Sequence, residues 1–105
     1  MKILANIFNY LFIIINRTKA KYRNRTEIYA SLLLGAVAEE TGVTITRMMY
    51  ASMLSYHQMI VHLQVLLKDH LLEYYEQEKV YKITIKGLQF LQLYSKMAKM
   101  LEPIS

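Results

Sequence analysis

The three histidines, His57, His62 and His70, are the side chains best suited to metal or acid–base chemistry, yet their spacing does not bring them together on one helix face. There is no cysteine, which removes thiolate metal sites, disulfides and thiol nucleophiles together and is compatible with a reducing cytoplasm. No glycine-rich phosphate loop is present, and no carboxylate pair stands in an apolar setting. Neither catalysis, a metal nor a cofactor is therefore expected. The chemistry that remains is recognition by hydrogen bonds and charge. Ser55, Tyr56, His57 and Gln58 form a compact run of donors and acceptors, with His62 further along. Arg47 lies upstream, Lys79 and Lys82 lie downstream, and Arg23 and Arg25 lie in a basic run near the N-terminus. Such side chains can meet base edges and phosphates.

Those residues need elements to position them. Thr26 reads as the N-cap of a first helix with apolar positions at Ile28, Leu32, Leu33 and Val37, ended by Glu39-Glu40-Thr41-Gly42. Val43-Thr44-Ile45 reads as a short strand. Thr46 reads as the cap of a short helix, 47–52, with Met48, Met49 and Met53 filling the core. Leu54-Ser55 then forms a turn, and Ser55 caps a helix whose Tyr56, Met59, Ile60, Leu63, Leu66 and Leu67 make a buried stripe. The opposite face holds His57, Gln58, Val61, His62, Gln64, Val65 and Lys68, a set in which Val61 and Val65 can offer only contacts to thymine methyls. Two strand-forming runs, 71–76 and 80–84, flank the polar turn Gln77-Glu78-Lys79, where Glu73, Glu76 and Glu78 oppose phosphate contact by Lys79 and Lys82.

A last helix, 84–101, keeps Lys86, Gln89, Gln92, Lys96 and Lys99 on one narrow stripe, and its apolar arc is wider than a small domain requires. Phe90, Leu93, Tyr94, Met97, Met100 and Leu101 are therefore expected to form a homodimer contact, as an antiparallel pair or a short coiled coil. Ahead of the body, residues 3–15 are almost continuously apolar but reach only about 20 Å as a helix, against a bilayer core of about 30 Å. No small-residue cleavage site follows. Residues 1–20 read as an apolar leader that packs on the domain or on a partner, that reflects a start assigned too early, or that touches an anionic membrane surface.

The formal charge of +5 is unevenly placed. Residues 1–25 carry Lys2, Arg17, Lys19, Lys21, Arg23 and Arg25 and no acid, while residues 26–105 carry 7 bases and 8 acids. Any general attraction to a polyanion must come from the run 17–25.

Taken together, Lys21-Tyr22-Arg23-Asn24-Arg25-Thr26-Glu27-Ile28, Thr46-Arg47-Met48-Met49-Tyr50, Leu54-Ser55-Tyr56, Leu71-Leu72-Glu73-Tyr74 and Tyr81 to Leu91 resemble the small archaeal winged helix-turn-helix proteins described as predicted transcriptional regulators. That group includes dimeric chromatin-associated proteins. The resemblance covers about residues 21–102 and implies a mainly α fold with a small β-hairpin, within a domain spanning 21–105. It further implies dimerisation through the C-terminal helix and binding of double-stranded DNA through the helix that begins at Ser55, in a cytoplasmic transcription regulator. This chain has Ala51 and Ile60 where such proteins commonly carry lysines, and Val61 where they are often polar. The alternative is a winged-helix module with weak or no DNA binding that binds protein or sits at a membrane through residues 3–15.

Overall fold

A computed structural model of the chain describes residues 24–100, so Arg23, Leu101 and the leader 1–20 lie outside the described residues. The elements run α1 (Arg25–Val37), α2 (Ile45–Ser52), α3 (Tyr56–Lys68), β1 (Leu72–Tyr75), β2 (Val80–Ile83) and α4 (Ile85–Met100). The two strands pair antiparallel with Leu72 opposite Ile83 and Tyr75 opposite Val80.

Both early helices are capped two residues before the threonines expected to cap them. Asn24 caps α1, because its Oδ1 accepts from the Glu27 N–H at 2.7 Å while its amide donates to the Glu27 carboxylate at 3.2 Å. This Asn-x-x-Glu arrangement satisfies two polar groups reciprocally, which a cap at Thr26 could not do with these neighbours. Thr44 caps α2 by accepting from the Arg47 N–H, so Ile45 is helical and the expected strand shrinks to Val43 alone. Val43 exchanges both backbone hydrogen bonds with Tyr81, at 2.9 and 2.7 Å, and so docks a third extended segment on the hairpin. Gly42 precedes it with φ +98, where a Cβ would stand 2.6 Å from Val80.

Helix α1 runs through the middle of the domain. Ala30, Ser31, Leu32 and Leu33 are buried in succession, which a helix covered on one face cannot achieve, and α2, α3, α4 and β2 all pack against it. Met48 from α2, Met59, Leu63 and Leu66 from α3, Leu72 from β1 and Leu91 from α4 close the core. Of the three methionines expected there, Met48 is buried and Met49 packs at the edge of the core. Met53 is 64% exposed because it takes the left-handed conformation that ends α2, φ 58, with its N–H returning to Met49 and Tyr50.

Helix α4 is fastened at its start. Thr84 Oγ1 donates to the His70 carbonyl at 2.7 Å and accepts from the Gly87 N–H at 3.0 Å, and Lys86 Nζ donates to the Asp69 carbonyl at 2.8 Å. Gly87 lets this first turn lie against the end of α3, since a Cβ there would overlap the Leu71 carbonyl oxygen and stand 2.6 Å from Ile83 Cγ1. Helix propensity alone makes alanine better than glycine by about 0.8–1.0 kcal/mol. Gly87→Ala should nevertheless lower unfolding stability by about 1–3 kcal/mol, the usual cost of overpacking against backbone. Denaturant unfolding measures it, and an unchanged or raised midpoint would contradict the close approach.

Candidate nucleic-acid interface

The turn between α2 and α3 decides what α3 presents. Met53 reverses the chain, Leu54 is half-buried, and Ser55 caps α3 in a complete box. The Gln58 N–H donates to Ser55 Oγ at 3.3 Å, and Gln58 Oε1 accepts from the Ser55 N–H at 3.2 Å. Gln58, expected to read bases, is thus folded back on its own helix end. It cannot approach adenine bidentately without opening the box.

Burial then fixes the helix rotation. Met59, Leu63 and Leu66 point into the core, Ile60 and Leu67 pack at its edge, and Tyr56, expected inside, is 55% exposed at the first helical position. The outer stripe is His57, Val61, Gln64 and Lys68, all exposed and spaced by 4, 3 and 4 residues. All four belong to the face expected opposite the buried stripe, where of them only His57 was named as a polar contact and Val61 was given contact to thymine methyls.

His62 does not share that stripe. Its ring stands edge-on to Tyr29 of α1, centroids 5.5 Å apart, and its buried Nδ1 has no hydrogen-bond partner among the described residues. Burial, with a smaller contribution from the Arg25 guanidinium, pushes its pKa below the ordinary histidine value. The ring is half-buried against Tyr29, and the same burial disfavours the imidazolium that a phosphate would attract. Arg25 itself is exposed in the first turn of α1.

Arg47, on the exposed face of α2, forms an ion pair with Glu39 in the loop after α1. A pair this exposed is weak, about 0–1 kcal/mol, so a phosphate can compete for the guanidinium. Tyr50, one turn further along α2, is 73% exposed.

The hairpin is more restrained. Lys82 lies over the Tyr75 ring, 4.4 Å from its centroid, and is the cross-strand partner of Glu73. The Tyr75 hydroxyl donates to Glu73 at 3.2 Å, which together with the negative charge raises its pKa. Lys79 sits at the turn in the left-handed region, φ 56. On the inner face Tyr74 and Tyr81 are in contact, ring centroids 4.7 Å apart. Lys79 therefore reaches out from the tip while Lys82 is held along the strand.

A short helix, a sharp turn, a second helix with one face outward and a hairpin beside it make up the arrangement. A family model described as winged helix-turn-helix matches residues 22–102. The chain belongs to the winged helix-turn-helix family. A comparison with curated proteins gives no match. In the vocabulary of that fold, α2 and α3 are the helix-turn-helix and 72–83 is the wing. Among the described residues no cluster of histidines and acids has the makings of a metal site, and no helix is long and apolar enough to cross a membrane.

Among the described residues, helix α4 has an exposed apolar side. Leu91 and Tyr94 face the core, and Tyr94, 7% exposed, is committed to its own domain and not available to a partner. Leu93, Met97 and Met100 are exposed at 67%, 45% and 85%, in line with the half-buried Phe90.

Proposed function

We propose that this protein is a DNA-binding transcriptional regulator or architectural protein that acts as a dimer and lays the outer stripe of α3 in the major groove. The observation that carries the reading is the outer stripe of α3. It is exposed along its whole length on a helix held by a capping box, flanked by the exposed Arg47, Tyr50 and Tyr56. The first N–H groups of α3 add the positive end of a helix, and tyrosine hydroxyls can bond phosphate without adding charge. His57 and Gln64 supply hydrogen bonds to bases, Lys68 and Arg47 supply charge, and Arg25 and Lys79 reach backbone from the two flanks.

The dimer reading rests on α4. Phe90, Leu93, Met97 and Met100 are spaced by 3, 4 and 3 residues, the repeat of a coiled-coil seam, and three of the four are exposed among the described residues. Two copies of α3 placed by such a seam would address two half-sites.

A second reading, a protein-binding module, is favoured by the apolar exposure of Met53, Tyr56 and Val61 at the same end of α3. Salt separates the two, because phosphate contacts weaken steeply with ionic strength and apolar contacts do not.

The full chain should bind a random duplex pool at low salt and lose affinity as salt rises. Lys68→Ala should lower the slope of log K against log salt by about 1. Binding indifferent to salt, or absent at low salt, overturns the DNA reading. For the dimer, Leu93→Lys with Met97→Lys should convert a dimer to a folded monomer in sedimentation equilibrium. A parent chain that sediments as a monomer, or a double variant that stays dimeric, overturns the seam.

A further inference from the structure

Val61 is 61% exposed at the centre of the α3 outer stripe, between the polar His57 and Gln64, with Val65 half-buried one turn beyond. We infer that Val61 is a specificity residue that selects sites by the C5-methyl group of thymine, an inference that rests on α3 being the groove-reading helix. Of the groups that the four standard bases display in the major groove, the thymine methyl is the apolar one, and the rest are donors and acceptors. Valine can satisfy none of those. A cytosine amino group or a guanine carbonyl pressed against Val61 would lose water without gaining a partner, whereas a methyl placed there loses only unfavourable hydration.

The structure makes this contact a discriminating one. A β-branched side chain in a helix holds essentially one χ1 rotamer, so the two γ-methyls of Val61 sit at a fixed place on the stripe. Val65, half-buried, lies one turn further on at the side of the stripe nearer the core. Polar neighbours one turn away on either side confine the apolar spot to about one base. Gln64 is the neighbour able to bond adenine bidentately, because Gln58 is occupied in the capping box and Gln64 is exposed. The class of target is therefore a duplex in which thymine meets Val61 and an adenine lies within reach of Gln64.

The test uses sites enriched by the full chain from a random duplex pool and resynthesised with deoxyuridine for thymine, which removes the methyl and leaves every hydrogen-bonding group. Each methyl buried against Val61 should be worth about fourfold in affinity. The parent chain should bind the thymine duplex more tightly than the deoxyuridine duplex by that factor. Val61→Ala, at an exposed position outside the core cluster, shortens the apolar contact and should show a clearly smaller preference for thymine, which separates a protein contact from any change in the DNA itself. Enrichment followed by equal binding of the two duplexes by the parent chain overturns the methyl contact while leaving α3 as a DNA reader. A preference for thymine that Val61→Ala retains in full also overturns it. Failure to enrich any duplex overturns the reading of α3 and this inference together.

Discussion

The burial of Met59, Leu63 and Leu66 under α1 is the constraint on which the rest depends. Fully burying three side chains of this size is worth about 5–9 kcal/mol, comparable to the entire stability of a domain this small. A slip of one residue would turn α3 by about 100° and bring all three toward water. The rotation of α3 is consequently set from the inside, and the identity of its outer stripe follows without any contribution from the groups that make it up. The same core explains why α1 is buried on several sides, since α2, α4 and β2 must each close against it to cover the stripe's neighbours.

Fixing the helix ends is the second requirement, and here polar residues serve the frame instead of a ligand. Asn24 with Glu27, Thr44, Ser55 with Gln58, and Thr84 with Gly87 each occupy otherwise unpaired backbone groups at a helix start. The cost falls on function, because a side chain locked in a cap cannot also read a base. The body 26–105, with 7 bases against 8 acids, gives no broad attraction to a polyanion, which leaves that role to the basic run 17–25.

Much of the frame was legible in the residues. The order of elements, the Ser55 cap, the hairpin and the start of the last helix near Thr84 follow from caps, strand formers and apolar spacing, which act locally. What was not legible depends on choices between near neighbours. Asn24 prevails over Thr26 and Thr44 over Thr46 because the three-dimensional loop, not the type of residue, decides which oxygen reaches an N–H. Met53 is apolar and adjacent to two core methionines, yet the sharp turn needs a left-handed residue at its position. Tyr94 looked like part of a wide apolar arc, and only the packing of α4 on α1 separates it from Leu93 and Met97. The site shows the same pattern. His62 and Gln58 have the chemistry of DNA contacts, but Tyr29 and Ser55 claim them.

The central claim is that the core turns His57, Val61, Gln64 and Lys68 toward DNA and keeps His62 away from it. Backbone amide shifts of the full chain, followed as a duplex enriched by that chain is added, test this most directly. The account predicts the largest changes at 57, 61, 64 and 68 and in the α2–α3 turn, with Tyr29 and His62 unmoved. Changes concentrated on Tyr29 and His62, or on the outer face of α4, would contradict it.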